Sequence, residues 1–467
     1  MINQINAQNK KINIKKIVEV LFYTFPLSFI IGNLILSLHL LIFIGFSFYL
    51  IKKESLTVRF KKLYWLLILF FLYLFFVTLF QFQSQGIFNA KLESLSLEEN
   101  PIFKSFILVR FLILIFIIDT LFLNRILELK KLFLFISICT FFVALDVVFQ
   151  YLVGFDLFGF KSLGYRNSGP FNDELISGAY LQKFSLFTFY YIFVKYNESK
   201  NLNVSLIFLL ALHLTAILLS GSRMPLILIL FGCFLTFLFI KKLRFVTTAG
   251  CIFFISIFGI IYNYDDKLAN HYKSLFNEIN VLNLFKINKQ VTQNGVSEES
   301  IKIEIKENHE GLTLLDNSGY NRIYRTSLSM WWERPITGFG LKTFRVKCWE
   351  ILEAKAHLVP SSGISRYACA NHPHNHYLEL LAETGIIGFT LMFAFFLVLF
   401  KEFIYYLKKY KQEENLIILL TFPIIISLFI EIWPIRSTGS FFTTWTASYF
   451  WFNAGVLLGL KKYFNLT

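Results

Sequence analysis

Residues 63–82 read LYWLLILFFLYLFFVTLFQF, a run without a charged side chain. As a helix, a run of this length spans the hydrocarbon core of a bilayer. Lipid offers no hydrogen-bond partner to the backbone, so repeated runs of this kind must be helical. Comparable runs recur along the 467-residue chain, which is 56% hydrophobic, contains 58 Phe and has only 16% charged residues. The sequence therefore predicts an all-α polytopic membrane protein.

The apolar runs predict about twelve transmembrane helices. Their expected bounds are 17–32, 34–51, 63–82, 104–123, 132–152, 174–194, 203–220, 223–240, 245–263, 380–400, 415–433 and 441–459. The first two belong to one apolar run, which we divide at Ile31-Gly32-Asn33 because it is too long for a single crossing. We expect three regions along the chain: nine spans in residues 1–263, an outer loop subdomain in 264–379, and three spans in 380–467.

Positive charges gather in every second connection between the predicted spans. The basic groups lie at 10–16, 52–62, 125–131, 195–200, 241–244, 408–411 and 461–462. Loops rich in Lys and Arg stay in the cytoplasm, so both termini are expected there and the 264–379 loop on the opposite side. This placement also accounts for the net charge of +15. It favours the lipid bilayer, and not nucleic acid, as the partner of the basic groups.

The long outer loop is expected to contain a small helical subdomain. From Tyr320 onward, Ile323, Ser327 and Met330 follow helical spacing, and Pro335 ends the predicted helix. Cys348 and Cys369 lie in the same loop. A disulfide between them is plausible if the compartment is oxidising, but the sequence leaves their separation open.

Arginines cluster on the side of the membrane that carries this loop. The group comprises Arg166, Arg223, Arg322, Arg325 and Arg436. Charged groups near a bilayer are costly and usually mark function. The guanidinium group offers a planar fork of donors that suits a pyrophosphate. The alternative for any one arginine is snorkelling to the interface, or pairing with Asp173, Glu174 or Glu431.

Three histidines lie just ahead of the predicted span 380–400, in Asn371-His372-Pro373-His374-Asn375-His376-Tyr377. Zinc binding is disfavoured because no CxxC or HExxH motif accompanies them. Packing at the interface is a second interpretation. The third is a general base, because histidine accepts protons near neutral pH and would lie beside the predicted anion site.

These motifs, in this order, resemble the O-antigen ligase and polymerase superfamily over residues 166–455. The order is Gly221-Ser222-Arg223, then the loop arginine and Trp332-Glu333-Arg334-Pro335-Ile336-Thr337-Gly338-Phe339-Gly340, then His374-Asn375 and Glu383-Thr384-Gly385-Ile386-Ile387-Gly388. The resemblance implies a GT-C-like fold of about twelve spans. It also implies transfer of a glycan from undecaprenyl pyrophosphate on the periplasmic face of the bacterial inner membrane, without a metal or other cofactor. Ligases transfer to lipid A–core, whereas polymerases extend a second carrier-linked glycan.

By position, the resemblance assigns catalytic roles to His374, Arg223 and Arg322. We expect His374 to act as the base in a one-step inverting transfer, while the arginines stabilise the departing pyrophosphate. Substrate contacts are expected from Arg166, Arg325, Asn375 and Arg436. His372 and His376 leave open which ring is the base.

Rival functions are a protein oligosaccharyltransferase and a flippase or other transporter. A metal-dependent membrane glycosyltransferase is disfavoured, because no Asp-x-Asp lies in an outer loop and Asp265-Asp266 is an adjacent pair. A transporter is expected to have repeated halves and charges near the bilayer midplane. The sequence shows no repeat, and Arg110 and Asp119 are its main expected charges within spans.

Overall fold

The computed structural model describes residues 13–84, 100–278, 319–354, 369–413, 415–437 and 439–465. Within these residues the fold is all-α, apart from one isolated bridge between Phe155 and Lys161. The helices run in this order: α1 (Ile14–Tyr23), α2 (Phe25–Ile31), α3 (Asn33–Lys53), α4 (Lys62–Ser84), α5 (Pro101–Leu108), α6 (Arg110–Leu123), α7 (Leu129–Val153), α8 (Ser177–Lys195), α9 (Leu202–Leu219), α10 (Arg223–Phe239), α11 (Arg244–Tyr264), α12 (Asp266–Glu278), α13 (Gly319–Glu333), α14 (Phe344–Ala354), α15 (His376–Glu413), α16 (Thr421–Glu431) and α17 (Thr444–Asn465).

Seven helical segments in the described residues are long and apolar enough to cross a membrane. They are α3, Lys62–Gln81 of α4, Pro101–Leu123 (α5 with α6), α7, α9, Lys241–Tyr264 (α11 with the turn before it) and α15. Helix α10 and the segment Leu416–Glu431 are apolar but shorter. The division of the first apolar run is confirmed, since Gly32 separates α2 from α3. The count of twelve spans stays a prediction.

The helices enclose one large apolar core built mainly from Phe, Leu and Ile. Helix α17 packs along α6, α9 along α11, and α7 along α8. Aromatic rings from distant parts of the chain pack together. Phe25 stacks on Phe452 with ring centroids 4.4 Å apart, and the ring centroid of Phe22 lies 5.2 Å from that of Phe452. Close side-chain packing of this kind holds helices together where lipid removes the usual hydrophobic driving force.

Ion pairs join several helix ends at one end of the bundle. Lys61 lies 2.6 Å from Asp119 of α6 and also donates to the carbonyl of Leu458 in α17. Lys461 lies 2.8 Å from Glu402 of α15. The ends of α4, α6, α15 and α17 brought together here are those that the charge alternation assigns to one side. The opposite ends converge on the cavity described below.

The expectation that Arg110 and Asp119 are the main charges within spans is incomplete. Lys183 in α8 and Glu431 in α16 are both buried inside the bundle and form an ion pair. Both residues lie within predicted spans, 174–194 and 415–433. The sequence pattern therefore understated the charge inside the bundle.

The loop subdomain has an apolar core of its own. Ile323 and Met330 of α13 meet Phe339, Phe344 and Ile351, with Ala382 contributed by α15. The predicted helix is confirmed, and it ends at Glu333 before Pro335. Cys348 and Cys369 form a disulfide with Cα atoms 5.7 Å apart. The disulfide ties α14 to the segment that leads into the three histidines.

Helix α15 is kinked at Gly385, where the turn after α13 packs against it. At Gly385 φ is 61°, and an added Cβ would lie 2.3 Å from the carbonyl oxygen of Ile336. The turn replaces the helical hydrogen bonds that the kink breaks. Its bonds to α15 are Phe339 N to Ala382 O (3.1 Å), Gly340 N to Glu383 O (2.8 Å) and Ile386 N to Pro335 O (2.8 Å). The sequence motifs at residues 332–340 and 383–388 therefore pack directly against each other.

Candidate functional site

A cavity of about 590 Å³ opens where the helix ends opposite the Lys61 and Lys461 ion pairs converge. Its volume lies within the range of small-molecule binding sites. Its walls come from the starts of α3, α5, α8, α10 and α17, the end of α16 and the turn after α13. The charged residues that line it are Lys104, Glu174, Lys183, Lys342, Arg345, Glu431 and Arg436. The charge alternation assigns every one of these helix ends to the same, non-cytoplasmic side.

One wall of the cavity holds a buried group of charges. Glu431 Oε2 accepts hydrogen bonds from Lys183 Nζ and, at 3.2 Å, from Arg436 Nη1. Arg436 also donates to the carbonyl of Ile430 at 2.8 Å. Two cations share one carboxylate, so the group keeps a net positive charge. The alternative that Arg436 pairs with Glu431 is therefore realised, and the pair lies in the cavity wall.

A second cationic contribution comes from the turn after α13. Lys342 is buried, lines the cavity and donates to Ser440 Oγ at 2.7 Å. Ser440 Oγ in turn donates to Glu379 Oε1, and the backbone N–H of Phe441 donates to Glu379 Oε2 at 2.7 Å. Burial lowers the pKa of Lys342, although Glu379 and Glu383 oppose this shift. Arg345, one turn further along, lines the same cavity.

His374 lies at the boundary between the loop subdomain and α15. It has a left-handed φ of 56°, a conformation that is uncommon outside glycine and concentrates at functional sites. Its ring lies 4.2 Å from that of His372 and 5.4 Å from that of Tyr320. Glu379 lies near enough for its carboxyl group to interact electrostatically with His374. The cavity-lining residues do not include His374, which instead connects to the cavity through Glu379, Ser440 and Lys342.

The other two histidines lie in different surroundings. His376, the first residue of α15, is buried beside Arg436, Glu431 and Lys183, and its ring packs edge-on against Phe441 with centroids 5.1 Å apart. His372 is half-buried and stays beside His374. The alternating histidines of the sequence therefore do not share one face.

Asn375 holds this segment in place. Its side-chain oxygen accepts from the N–H groups of Tyr377 (3.0 Å) and Leu378 (3.2 Å), which caps the start of α15. Its amide nitrogen donates to the carbonyl of Pro434 at 2.8 Å. Asn375 thus links the histidine segment to the loop that carries Arg436. Its predicted contact with substrate stays a prediction.

Arg223 and Arg166 form a separate group beside the cavity. Arg223 Nη2 donates to the carbonyl of His271 in α12, and His271 Nε2 lies 2.8 Å from the carbonyl oxygen of Gly221. Arg166 packs over Gly221, and both arginines act electrostatically on Tyr272. Met224 and Pro225, the residues after Arg223, line the cavity. The structure thus brings Arg166 and Arg223 together, at the edge of the cavity wall.

Arg322 and Arg325 lie on α13, which packs against α15 and α14. The side chain of Arg325 is half-buried, and the side chain of Arg322 lies outside the described residues. Their predicted roles stay predictions.

Sequence reasoning missed Lys183, Lys342, Arg345 and Glu379. For Lys183 a signal existed, because a lysine within a membrane span marks a functional site by default. Lys342 lies in the turn after α13 and Arg345 at the start of α14, and no local pattern reveals that these segments lie over the cavity. Within the described residues no group of three His, Cys, Asp or Glu side chains could hold a metal ion. Asp265 instead accepts from the N–H of Leu268 at 3.0 Å and from Tyr151.

Comparison with known families identifies part of the chain. Residues 206–393 match the family model described as O-antigen ligase, which confirms the resemblance suggested by the motifs. The match runs from α9 into α15 and contains Arg223 and His374, while Lys183, Glu431 and Arg436 lie outside it. No curated protein matches the chain. Residues 206–393 are therefore similar to the O-antigen ligase family, and the seven apolar helices indicate a multi-pass membrane protein.

Proposed function

From the O-antigen ligase domain at residues 206–393, we propose that the protein transfers a glycan from undecaprenyl pyrophosphate to an acceptor at the periplasmic face of the inner membrane. Lipid A–core is the favoured acceptor. The observation that carries the proposal is the cavity, which Lys183, Lys342, Arg345 and Arg436 line with positive charge beside the matched helices. A site of this kind suits a lipid-linked pyrophosphate that approaches along the bilayer.

The cationic groups would bind and stabilise the pyrophosphate without a metal ion. Arg436 lies in the cavity wall, and Arg223 lies directly before two of its lining residues. In the bound state we propose that Arg223, with Arg166 beside it, exchanges its bond to the His271 carbonyl for a phosphate oxygen. Arg322 and Arg325 would close over the donor from α13. Charge that develops on the leaving group is then stabilised by these cationic groups.

His374 is the proposed general base. It takes the proton from the acceptor hydroxyl, whose oxygen attacks the anomeric carbon of the glycan. The bond from that carbon to the pyrophosphate oxygen breaks, and undecaprenyl pyrophosphate leaves with the electron pair. Attack opposite the leaving group inverts the anomeric configuration. The nearby carboxylate of Glu379 would stabilise the imidazolium that forms.

Deletion of the gene distinguishes the candidate acceptors, with envelope glycolipids separated on a gel. A ligase is indicated if all long-chain glycan disappears from lipid A–core and carrier-linked polymer accumulates. A core that bears a single repeat unit would indicate a polymerase. Normal glycolipid with unglycosylated proteins would indicate a protein transferase and contradict the favoured acceptor.

Replacement of the proposed base tests the chemistry. His374→Ala is expected to lower transfer by about 10²–10⁴-fold, the usual contribution of a general base, while binding of the donor persists. The matched variant is His372→Ala, which removes the neighbouring ring and is expected to keep most of the activity. Both are measured with purified protein, carrier-linked glycan and acceptor. If His374→Ala retains transfer, or if His372→Ala alone abolishes it, the assignment is wrong.

A further inference from the structure

The cavity has a second side that the cationic groups do not explain. The lining also includes Gln182 of α8, Thr443 and Thr444, and Trp445 at the start of α17. These are neutral hydrogen-bonding groups around an aromatic ring. A pyrophosphate binds mainly through positive charge and would not require an aromatic ring.

Gln182 is only 3% exposed and lines the cavity, yet its amide makes no hydrogen bond within the described part of the chain. An amide that is held inside the bundle and is open to a cavity is available to hydrogen-bond a ligand or an ordered water there. The amide can both donate and accept. Its neighbour Lys183 is already bound to Glu431. Gln182 therefore presents unused hydrogen-bonding capacity to the cavity.

Glu431 presents a second unused group. Its Oε2 holds Lys183 and Arg436, whereas its buried Oε1 has no hydrogen-bond partner among the described residues. The Nε of Arg436 is likewise buried and unpartnered there. A hydroxyl group could donate to Oε1, since an ionised carboxylate only accepts. A ligand that carries hydroxyl groups next to an anion would complement these groups.

Trp445 supplies the apolar surface between these polar groups. Phe29 packs on its ring at right angles with centroids 5.6 Å apart, and its Nε1 donates weakly to the Phe29 carbonyl at 3.4 Å. Lys183 Nζ lies 5.5 Å from the ring centroid. The ring is therefore fixed in orientation while part of it faces the cavity. An aromatic ring offers a rigid apolar contact surface to a ligand that has both apolar and polar faces.

We propose that Gln182, Glu431 and Trp445 form a saccharide subsite that binds the carrier-proximal sugar of the donor. The C–H face of the sugar ring would pack on Trp445, with its hydroxyl groups bonded to Gln182 and to Oε1 of Glu431. This subsite rests on the proposed function and deepens it. Glu431 joins the two sides of the cavity, because the Arg436 that it holds belongs to the pyrophosphate side. A sugar in this subsite would have its anomeric oxygen directed toward the cations.

The test compares two lipids that differ only in the sugar. Purified protein in nanodiscs is titrated with undecaprenyl pyrophosphate-linked glycan extracted from the producing cells, and with undecaprenyl pyrophosphate itself. Trp445→Ala and Gln182→Leu are expected to weaken binding of the glycan-bearing lipid by about tenfold, as expected when one or two such contacts are lost. The affinity for the sugar-free lipid should change by less than about twofold, which is much less than the tenfold change expected for the glycan-bearing lipid.

Two further variants keep the test decisive. Trp445→Phe retains a ring at the same position and should preserve most of the discrimination, even if the alanine variant folds poorly. Trp65→Ala removes an exposed tryptophan that does not line the cavity and should leave both affinities unchanged. Equal weakening for both lipids, or no weakening, would overturn the saccharide subsite and leave the proposed function standing. If the unmodified protein binds neither lipid, the proposed function fails as well.

Discussion

At the scale of single residues, Lys342 connects the cavity to the histidine segment. It lines the cavity and, through Ser440, reaches the carboxylate of Glu379, which interacts with His374. Binding of a pyrophosphate near Lys342 would therefore change the electrostatic environment of Glu379, which interacts with the proposed base His374. If His374 is the base, as proposed, these contacts would couple occupation of the cavity to it without movement of a helix.

The buried position of Lys342 gives a testable pH dependence. Burial lowers its pKa, so Lys342 loses its proton at a lower pH than an ordinary lysine does. If the charge helps to bind the donor, the KM for donor should rise as the pH increases from about 7 to about 10. Lys342→Arg keeps its charge over that range and should flatten the profile. A Lys342→Arg profile as steep as that of the unmodified protein would exclude Lys342 as the titrating group.

The sequence indicated which residues belong to the site more reliably than it indicated their contacts. Arg436 was recognised because an arginine on the outer side opposes the positive-inside preference, and Glu431 was its named alternative partner. Arg223 was recognised from its motif, yet its contact with His271 could not be foreseen. That contact depends on how α12 lies against the α9–α10 turn, which no spacing within either segment encodes.

At the scale of elements, the kink in α15 is the joint between the loop subdomain and the membrane helices. The turn that carries Gly338 and Gly340 replaces the hydrogen bonds that α15 loses around Gly385. Backbone lies against backbone here, since an added Cβ at Gly338 would come within 2.5 Å of the nitrogen of Gly385. The two glycine-containing motifs therefore reflect a packing requirement that is independent of substrate.

Gly385→Ala tests this requirement. The substitution places a Cβ against a carbonyl oxygen at a backbone conformation that costs about 1–3 kcal/mol for a residue with a side chain. We expect a clear fall in the thermal unfolding temperature in detergent and loss of transfer activity. Gly259→Ala in α11 is the matched control, because an added Cβ there meets nothing within 4 Å. An unchanged unfolding temperature for Gly385→Ala would contradict the role of the kink.

The disulfide between Cys348 and Cys369 is the second link at this scale. It closes a loop of 21 residues and fixes the segment that leads to His372 and His374. Replacement of both cysteines by serine should destabilise the loop subdomain by about 3 kcal/mol in the chain-entropy picture. Faster cleavage of the loop by added protease would show this effect. Cys251→Ala removes a thiol that is not in a disulfide and serves as the control; equal protease resistance in all three proteins would argue against a stabilising disulfide.

At the scale of the whole molecule, alternation of charge is the strongest topological information in the sequence. It assigns the ends of α3, α5, α8, α10, α16 and α17 that form the cavity to one side, and the structure brings those ends together. Hydropathy alone indicates seven long spans and leaves α8 and α17 outside that group. Polar residues such as Gln182, Lys183 and Asn453 lower the hydropathy of these helices, and all three lie buried inside the bundle.

Alkaline phosphatase fusions test the topology directly, since the enzyme is active only after export. Fusions that end at Lys161 or Arg436 should be active, and fusions that end at Glu54 or Glu198 should be inactive. Equal activity at Lys161 and Glu198 would mean that α8 does not cross the membrane and that the count of twelve is wrong.

The pairing of Lys183 with Glu431 also constrains how the protein is made. The two residues are 248 positions apart, so α8 leaves the ribosome long before the helix that neutralises it. A lone lysine inside a span opposes insertion, by up to about 2.5–3.5 kcal/mol at the centre of the helix on the translocon scale. Until α16 is synthesised, α8 lacks this partner, and its insertion is expected to depend on packing against its neighbour α7. The ion pair in the cavity wall can thus form only late in synthesis, so assembly of the bundle around the cavity is completed from the C-terminal side.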